Sequence, residues 1–103
     1  MNKVILFDLV HEVVQKDSTG QTKKIKTYQS VLGTQKSVYQ NEFFKADQAG
    51  IRPQGQITMC SFDYNAESLL RIDNKEYTIY RTFEVGTDKI ELYYGERVGN
   101  GQK

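Results

Sequence analysis

The chain has little of what most catalytic and metal sites need. Its 103 residues include one histidine, His11, one cysteine, Cys60, one proline and no tryptophan. A single histidine excludes a site with several imidazole ligands, and a single cysteine excludes an internal disulfide. We therefore expect no metal, no cofactor and no enzymatic activity. A Cys60–His11 pair stays open, because folding could bring the two together. No nucleophile motif surrounds Cys60, however, and we expect a small buried side chain there.

An excess of charge of one sign and long apolar runs are also missing. Fourteen Lys and Arg residues nearly balance thirteen Asp and Glu residues, so the formal net charge is +1. Such a chain has no electrostatic attraction toward nucleic acid or an anionic membrane. Asp8 and Glu12 interrupt the apolar start of the chain, and no run approaches the roughly 20 apolar residues that cross a bilayer. We expect a cytosolic product with neither a signal peptide nor a membrane span.

What the chain does have is the pattern of short strands. β-branched and aliphatic residues alternate between turns rich in Gly, Asn and Asp. The predicted strands lie at about 4–15, 22–37, 57–64, 69–72, 76–85 and 89–97. This pattern predicts a mainly β fold, a small antiparallel β-barrel or sandwich of about six strands. We expect one domain over residues 1–98 and a flexible tail over residues 99–103. The order of the strands does not follow from the pattern.

One short α-helix is predicted between the second and third strands, over residues 37–50. Ser37 and Gln40 have the spacing of a capping box, and Gly50 suits the left-handed position that ends a helix. Phe43 and Phe44 are neighbours on such a helix and point in different directions. We expect Phe43 in the core and Phe44 at a subunit interface.

The stretch after this helix contains two glycines and the only proline of the chain. This composition predicts a flexible loop before the third strand. The predicted loop comprises Gly50, Ile51, Arg52, Pro53, Gln54, Gly55 and Gln56. Gly33, inside the second predicted strand, indicates a bulge or a bend there.

The first predicted strand is apolar on both of its faces. One face carries Ile5, Phe7, Leu9 and Val13, and the other carries Val4, Leu6, Val10 and Val14. The second face either packs inside a twisted barrel or under the helix, or it contacts another subunit. The candidate subunit interface therefore comprises Val4, Leu6, Val10, Val14 and Phe44.

A lysine cluster at the start of the second predicted strand is the best candidate for a nucleic-acid contact. Lys23, Lys24 and Lys26 lie near Tyr28, and charge combined with aromatic stacking is how single strands are bound without sequence preference. The other interpretation is a charged exposed strand whose lysines discourage edge pairing. A small β-barrel module that binds single-stranded nucleic acid remains an alternative function.

The order of these elements resembles that of the head–tail joining proteins of long-tailed double-stranded DNA phages and prophages. This family is also called head-closure, stopper or head-completion proteins. The resemblance covers nearly the whole chain, although no single motif of it is specific. The matching stretches are SVYQNEFF (37–44), GIRP (50–53), ITMCSFDY (57–64), LRIDNKEYTIYR (70–81) and IELYY (90–94).

This resemblance implies a non-enzymatic structural protein of the virion. Copies would form a ring beneath the portal and adaptor, help to close the DNA channel, and provide the platform to which the tail protein attaches. The resemblance also implies that the segment from about residue 40 to residue 56, including the predicted loop at 50–56, faces the channel and gates it. A tail-completion protein of the same neck is the nearest alternative within this class.

Overall fold

The computed structural model describes residues 3–37 and 50–97, and these form a mainly β fold. Six strands and one short 3₁₀ turn, at Ser61–Asp63, follow one another along the chain. The strands are β1 (Lys3–Lys16), β2 (Thr22–Lys36), β3 (Ile51–Cys60), β4 (Leu69–Ile72), β5 (Lys75–Val85) and β6 (Lys89–Arg97). The predicted fold class is therefore confirmed.

The six strands close into a barrel in the order β1-β2-β3-β6-β5-β4, and every neighbouring pair is antiparallel. Alternating strand directions place the β1–β2 turn and the β5–β6 turn at the same end of the barrel. In the closed order β2 lies three places from β5, and β1 lies three places from β6. The two hairpins therefore stand on opposite sides of the barrel and point toward the same end.

The barrel interior is filled by side chains that alternate along the strands. Phe7, Leu9, Ile57, Leu70 and Leu92 are almost completely buried. The buried side chains of this cluster come from every strand except β5, which contributes only the half-buried Tyr77 and Ile79. Period-two alternation therefore identifies most of the core from the sequence.

Gly33 lies where β2 packs closely against the interior, and it causes no bulge. The β1–β2 register runs without a shift from Lys3↔Gln35 to Lys16↔Thr22, so the predicted bulge or bend is wrong. A Cβ atom at this position would lie 2.5 Å from Ile57 Cγ2 and 2.9 Å from Phe7 Cε1. Glycine is needed here because there is no room for a side chain.

The predicted loop at residues 50–56 is also wrong, because β3 begins at Ile51 and pairs with β6 over its full length. Pro53 is accommodated at a shift in the β3–β6 register between Pro53 and Gly55. Proline occurs in sheets at such irregularities and on edges, where its missing N–H costs no ladder hydrogen bond. Ile51, Gly55 and Gln56 are buried, whereas the residues of a flexible loop would be exposed.

The β1–β2 hairpin extends beyond the barrel. β1 pairs with β4 only at Asp8–Val10, and β2 pairs with β3 only at Thr34–Lys36. Residues 11–16 and 22–27, called the arm below, pair only with each other among the described strands. The radius of gyration of 15.1 Å accordingly exceeds the roughly 13 Å of a compact domain of about 100 residues.

Several predictions fall on residues outside those that the structure describes. They are residues 38–49 of the helix predicted over 37–50, the core position of Phe43, the interface position of Phe44, and the tail at 99–103.

Candidate assembly surface

The first strand leaves most of its second apolar face open to solvent. Val4 and Leu6 are 68% and 65% exposed, and Val14 in the arm is also exposed. Val10 is an exception at 3% exposure, so its assignment to an exposed interface is wrong. It lies between Tyr28 of β2 and Leu69 of β4 in the sheet register.

Leu32 of β2 joins this exposed surface, and the sequence reasoning missed it. Its partner in the β1–β2 register is Leu6, while Val4 stands opposite Thr34. Leu32 is 66% exposed. We call Val4, Leu6 and Leu32 the outer stripe. Alternation within β2 contains the signal, since Val31 is buried and Leu32 must then face outward.

A polar network lies beside the outer stripe on the same outer face. Ser30 Oγ donates to Asp8 Oδ1 at 2.8 Å, and Arg71 donates to Asp8 Oδ2 from Nε at 3.0 Å and from Nη2 at 2.8 Å. The hydrogen bond from Ser30, followed by that from Arg71, holds the pKa of the Asp8 carboxyl below its ordinary value. The network ties β2, β1 and β4 together across three strands.

The residues proposed as a nucleic-acid contact differ in their surroundings. Lys26 Nζ lies 3.0 Å from Glu76 Oε1, and this hydrogen bond raises the pKa of Lys26. The Arg71 guanidinium carbon lies 3.7 Å from the centroid of the Tyr28 ring. Lys26 is thus paired with a carboxylate, and one face of Tyr28 is occupied. Lys23 and Lys24 remain exposed in the arm. These contacts disfavour base stacking on Tyr28.

The turn of the arm is organised by one aspartate. Asp17 Oδ1 accepts hydrogen bonds from Thr19 N at 3.0 Å, Thr19 Oγ1 at 2.7 Å and Gln21 N at 2.9 Å. These bonds, that from the Thr19 hydroxyl foremost, lower the pKa of Asp17. Gly20 follows with φ +88°, which glycine adopts without steric cost. The arm therefore ends in a defined Asx-type turn.

His11 serves to hold a turn against the base of the arm. Its Nε2 lies 2.8 Å from Oε2 of the buried Glu67, and Glu67 Oε1 accepts a hydrogen bond from Asn65 N at 2.7 Å. Tyr64 Oη donates to Glu67 O at 2.6 Å. His11 also lies 3.4 Å from Gln29 Oε1, and none of these contacts involves Cys60.

Cys60 is exposed at the end of β3, so the expectation of a buried cysteine is wrong. Met59 occupies the inward position next to it, and the alternation of the strand turns Cys60 outward. Within residues 3–37 and 50–97, no three His, Cys, Asp or Glu side chains are grouped as metal ligands. Over the same residues, no helix has the length and apolar character to cross a membrane.

We found no match to this chain among protein-family models, curated proteins or solved structures.

Proposed function

We propose that this chain is a structural subunit of the connector between the head and the tail of a long-tailed DNA phage or prophage. In this proposal, copies form a ring in the virion neck, below the portal and adaptor. The ring helps to retain the packaged DNA and offers a platform to the tail protein. The activity of the chain is assembly, and it performs no chemistry.

The observation that carries this proposal is the outer stripe on a rigid sheet. Large aliphatic side chains that lie together and exposed mark contact surfaces with other proteins. Val4, Leu6 and Leu32 stand side by side on paired strands, so their positions are fixed before any partner binds. A preformed surface of this kind suits docking with little ordering cost.

The fold and the charge are compatible with the same role. The family resemblance implies a small β-barrel protomer, and the chain is a closed six-stranded barrel. Residues 37–50 lie between β2 and β3 in the chain order, which is where the resemblance implies an inserted segment. A net charge of +1 provides no strong attraction that would hold DNA during its passage.

The gating role that the resemblance implied for residues 50–56 loses its structural basis. Ile51 to Gln56 belong to β3, and a strand paired with β6 cannot swing into a channel without breaking the barrel. We therefore restrict the proposal to ring formation, DNA retention and tail attachment, and we assign no gate to these residues.

The experiment is reconstitution with the portal and adaptor of a long-tailed phage. The purified chain is incubated with the portal–adaptor complex, and co-sedimentation is compared for wild type, Leu6→Glu and Thr22→Glu. We expect wild type and Thr22→Glu to bind and Leu6→Glu to bind at least tenfold less. Thr22→Glu is the matched control, because it adds the same charge at an exposed β2 position away from the outer stripe. No binding by wild type would overturn the proposal.

A further inference from the structure

Most of one long edge of β2 pairs with no other strand among residues 3–37 and 50–97. β2 pairs with β3 only at Thr34–Lys36. Over the rest of its length it pairs only with β1 among the described strands. The lysines near the tip of the arm discourage association there. Residues 27–32, with the sequence TYQSVL, carry no charge and are rich in strand-forming types. An uncharged free edge of this kind is a template for pairing with another strand.

A second such edge, again among the described strands, belongs to β5. It pairs with β4 only over Lys75–Thr78, and residues 82–85 pair only with β6 among the described strands. All four residues are exposed. Phe83 is 57% exposed, and Val85 beside it is also exposed. The hairpin therefore presents both a backbone edge and two large apolar side chains.

The positions of these two edges fit a head-to-tail contact between copies. β2 and β5 lie on opposite sides of the closed barrel, and both free segments lie toward the end that carries the hairpin turns. β2 runs away from that end, and β5 runs toward it. If neighbouring barrels stand side by side in the same orientation, β2 of one copy and β5 of the next are antiparallel.

We propose that residues 27–32 of β2 in one subunit pair antiparallel with residues 82–85 of β5 in the next, so that a sheet continues from subunit to subunit. The outer stripe, with Leu32 nearest the joint, then packs against Phe83 and Val85 of the neighbour. Two different surfaces meet in this contact, as rotational closure of a ring requires. The inference rests on the proposed ring and identifies the contact that builds it.

The charges of the two edges are compatible with this contact. Lys23 and Lys24 continue β2 toward the tip of the arm, while Glu84 lies within the free edge of β5 and Asp88 lies in its turn. The lysines that follow the uncharged segment toward the tip of the arm therefore lie on the same side as the exposed carboxylates of the neighbouring hairpin. The side chains of Lys26 and Tyr28 reach over the outer face to Glu76 and Arg71, so neither covers the open backbone edge of β2.

Cross-linking tests the contact directly. Cys60 is first replaced by Ser, because its exposed thiol would compete. Leu32→Cys and Phe83→Cys are then introduced together and singly, and a short bis-maleimide is applied. We expect the double variant to give a ladder of dimers, trimers and larger species. Each single variant alone should give no ladder, and an equimolar mixture of the two should give dimers only.

Other outcomes would overturn the inference. Dimers from Leu32→Cys alone would indicate that two β2 edges meet symmetrically, and absence of any ladder would show that the two edges do not meet. Thermal melting confirms that each variant is folded, which is expected because both positions are exposed.

The same cross-link on the reconstituted neck separates this inference from the proposed function. A ring on the adaptor without a ladder contradicts the edge pairing and leaves the connector role intact. A ladder in solution without binding to the adaptor supports the edge pairing and contradicts the connector role.

Discussion

Arg71 and Tyr28 are stacked, with the guanidinium carbon 3.7 Å from the ring centroid. The same guanidinium donates two hydrogen bonds to Asp8. One side chain on the short strand β4 therefore reaches across β1 to β2. Since β4 pairs with β1 at only three positions, this reach reinforces the joint at which the barrel closes.

Replacing Arg71 with Lys should destabilise the fold by about 1–2 kcal/mol. Lysine keeps the charge but loses both the planar stacking on Tyr28 and the two-pronged donation to Asp8. Urea unfolding measures the change, with Lys89→Arg as a control on an exposed residue of β6. An Arg71→Lys variant as stable as wild type would show that charge alone is sufficient at this joint.

The hydrogen bonds to Asp8 predict a dependence of stability on pH. The pKa of Asp8 is lower in the folded state than in the unfolded chain. Its stabilisation is therefore fully present above the unfolded pKa of about 3.9 and is lost as the pH falls through the folded pKa.

Asp8→Asn tests this dependence. The free energy of unfolding should be lower for the variant than for wild type at pH 7, and the difference should shrink as the pH falls through the folded-state pKa of Asp8, because the carboxyl then becomes protonated in both states. Asp63→Asn, at an exposed position, controls for the loss of one carboxylate. A difference that stays constant with pH would contradict the account.

The close packing at Gly33 predicts a cost for any side chain there. Gly33→Ala should destabilise the fold by about 1–3 kcal/mol, because the added methyl overlaps Ile57 and Phe7 and the core must move. The adjacent Leu32→Ala, on the exposed face, should change stability by less than about 0.5 kcal/mol. Equal stability of the two variants would indicate that β2 shifts away from the core without penalty.

The assignment of residues 51–56 to β3 predicts intolerance to insertion. Inserting Gly-Ser-Gly after Gln54 should abolish cooperative thermal unfolding, because it displaces the strand from its register with β6. The same insertion after Ser18, in the exposed turn of the arm, should be tolerated. Retention of the wild-type melting transition by the Gln54 insertion would restore the loop that the sequence suggested.

The contacts of Lys26 and Tyr28 predict weak interaction with nucleic acid. Fluorescence anisotropy with a labelled single-stranded oligonucleotide at low salt should show no binding tighter than about 10⁻⁴ M. Lys23→Gln/Lys24→Gln should behave as wild type does. Tighter binding that falls with salt and is lost in this double variant would favour the nucleic-acid-binding alternative.

Much of the fold followed from alternation and turns. β6 was predicted with the bounds that the structure gives it, and β4 likewise, because Gly86, Asp73 and Asn74 mark tight turns. Asp73 and Asn74 both have positive φ, as two-residue hairpin turns require. Strand order was not predicted, because it depends on contacts between residues far apart in the sequence.

The errors have local physical causes. Gly and Pro near residue 53 favoured a loop, yet a register shift accommodates Pro53 within a strand. Gly33 indicated a bulge, whereas it is needed because β2 lies too close to Ile57 and Phe7 for a side chain to fit. Val10 alternates with the exposed residues of β1, but tertiary neighbours cover it. Leu32 was missed because alternation shows that it faces outward but does not show that it lies opposite Leu6 on β1.

The measurement that tests the central claim most directly is cryo-electron microscopy of the phage neck, or of the portal–adaptor complex incubated with this chain. The account predicts a ring of six-stranded barrels below the adaptor, with β2 of each subunit beside β5 of the next. A neck in which no ring of these barrels lies below the adaptor would contradict the connector role.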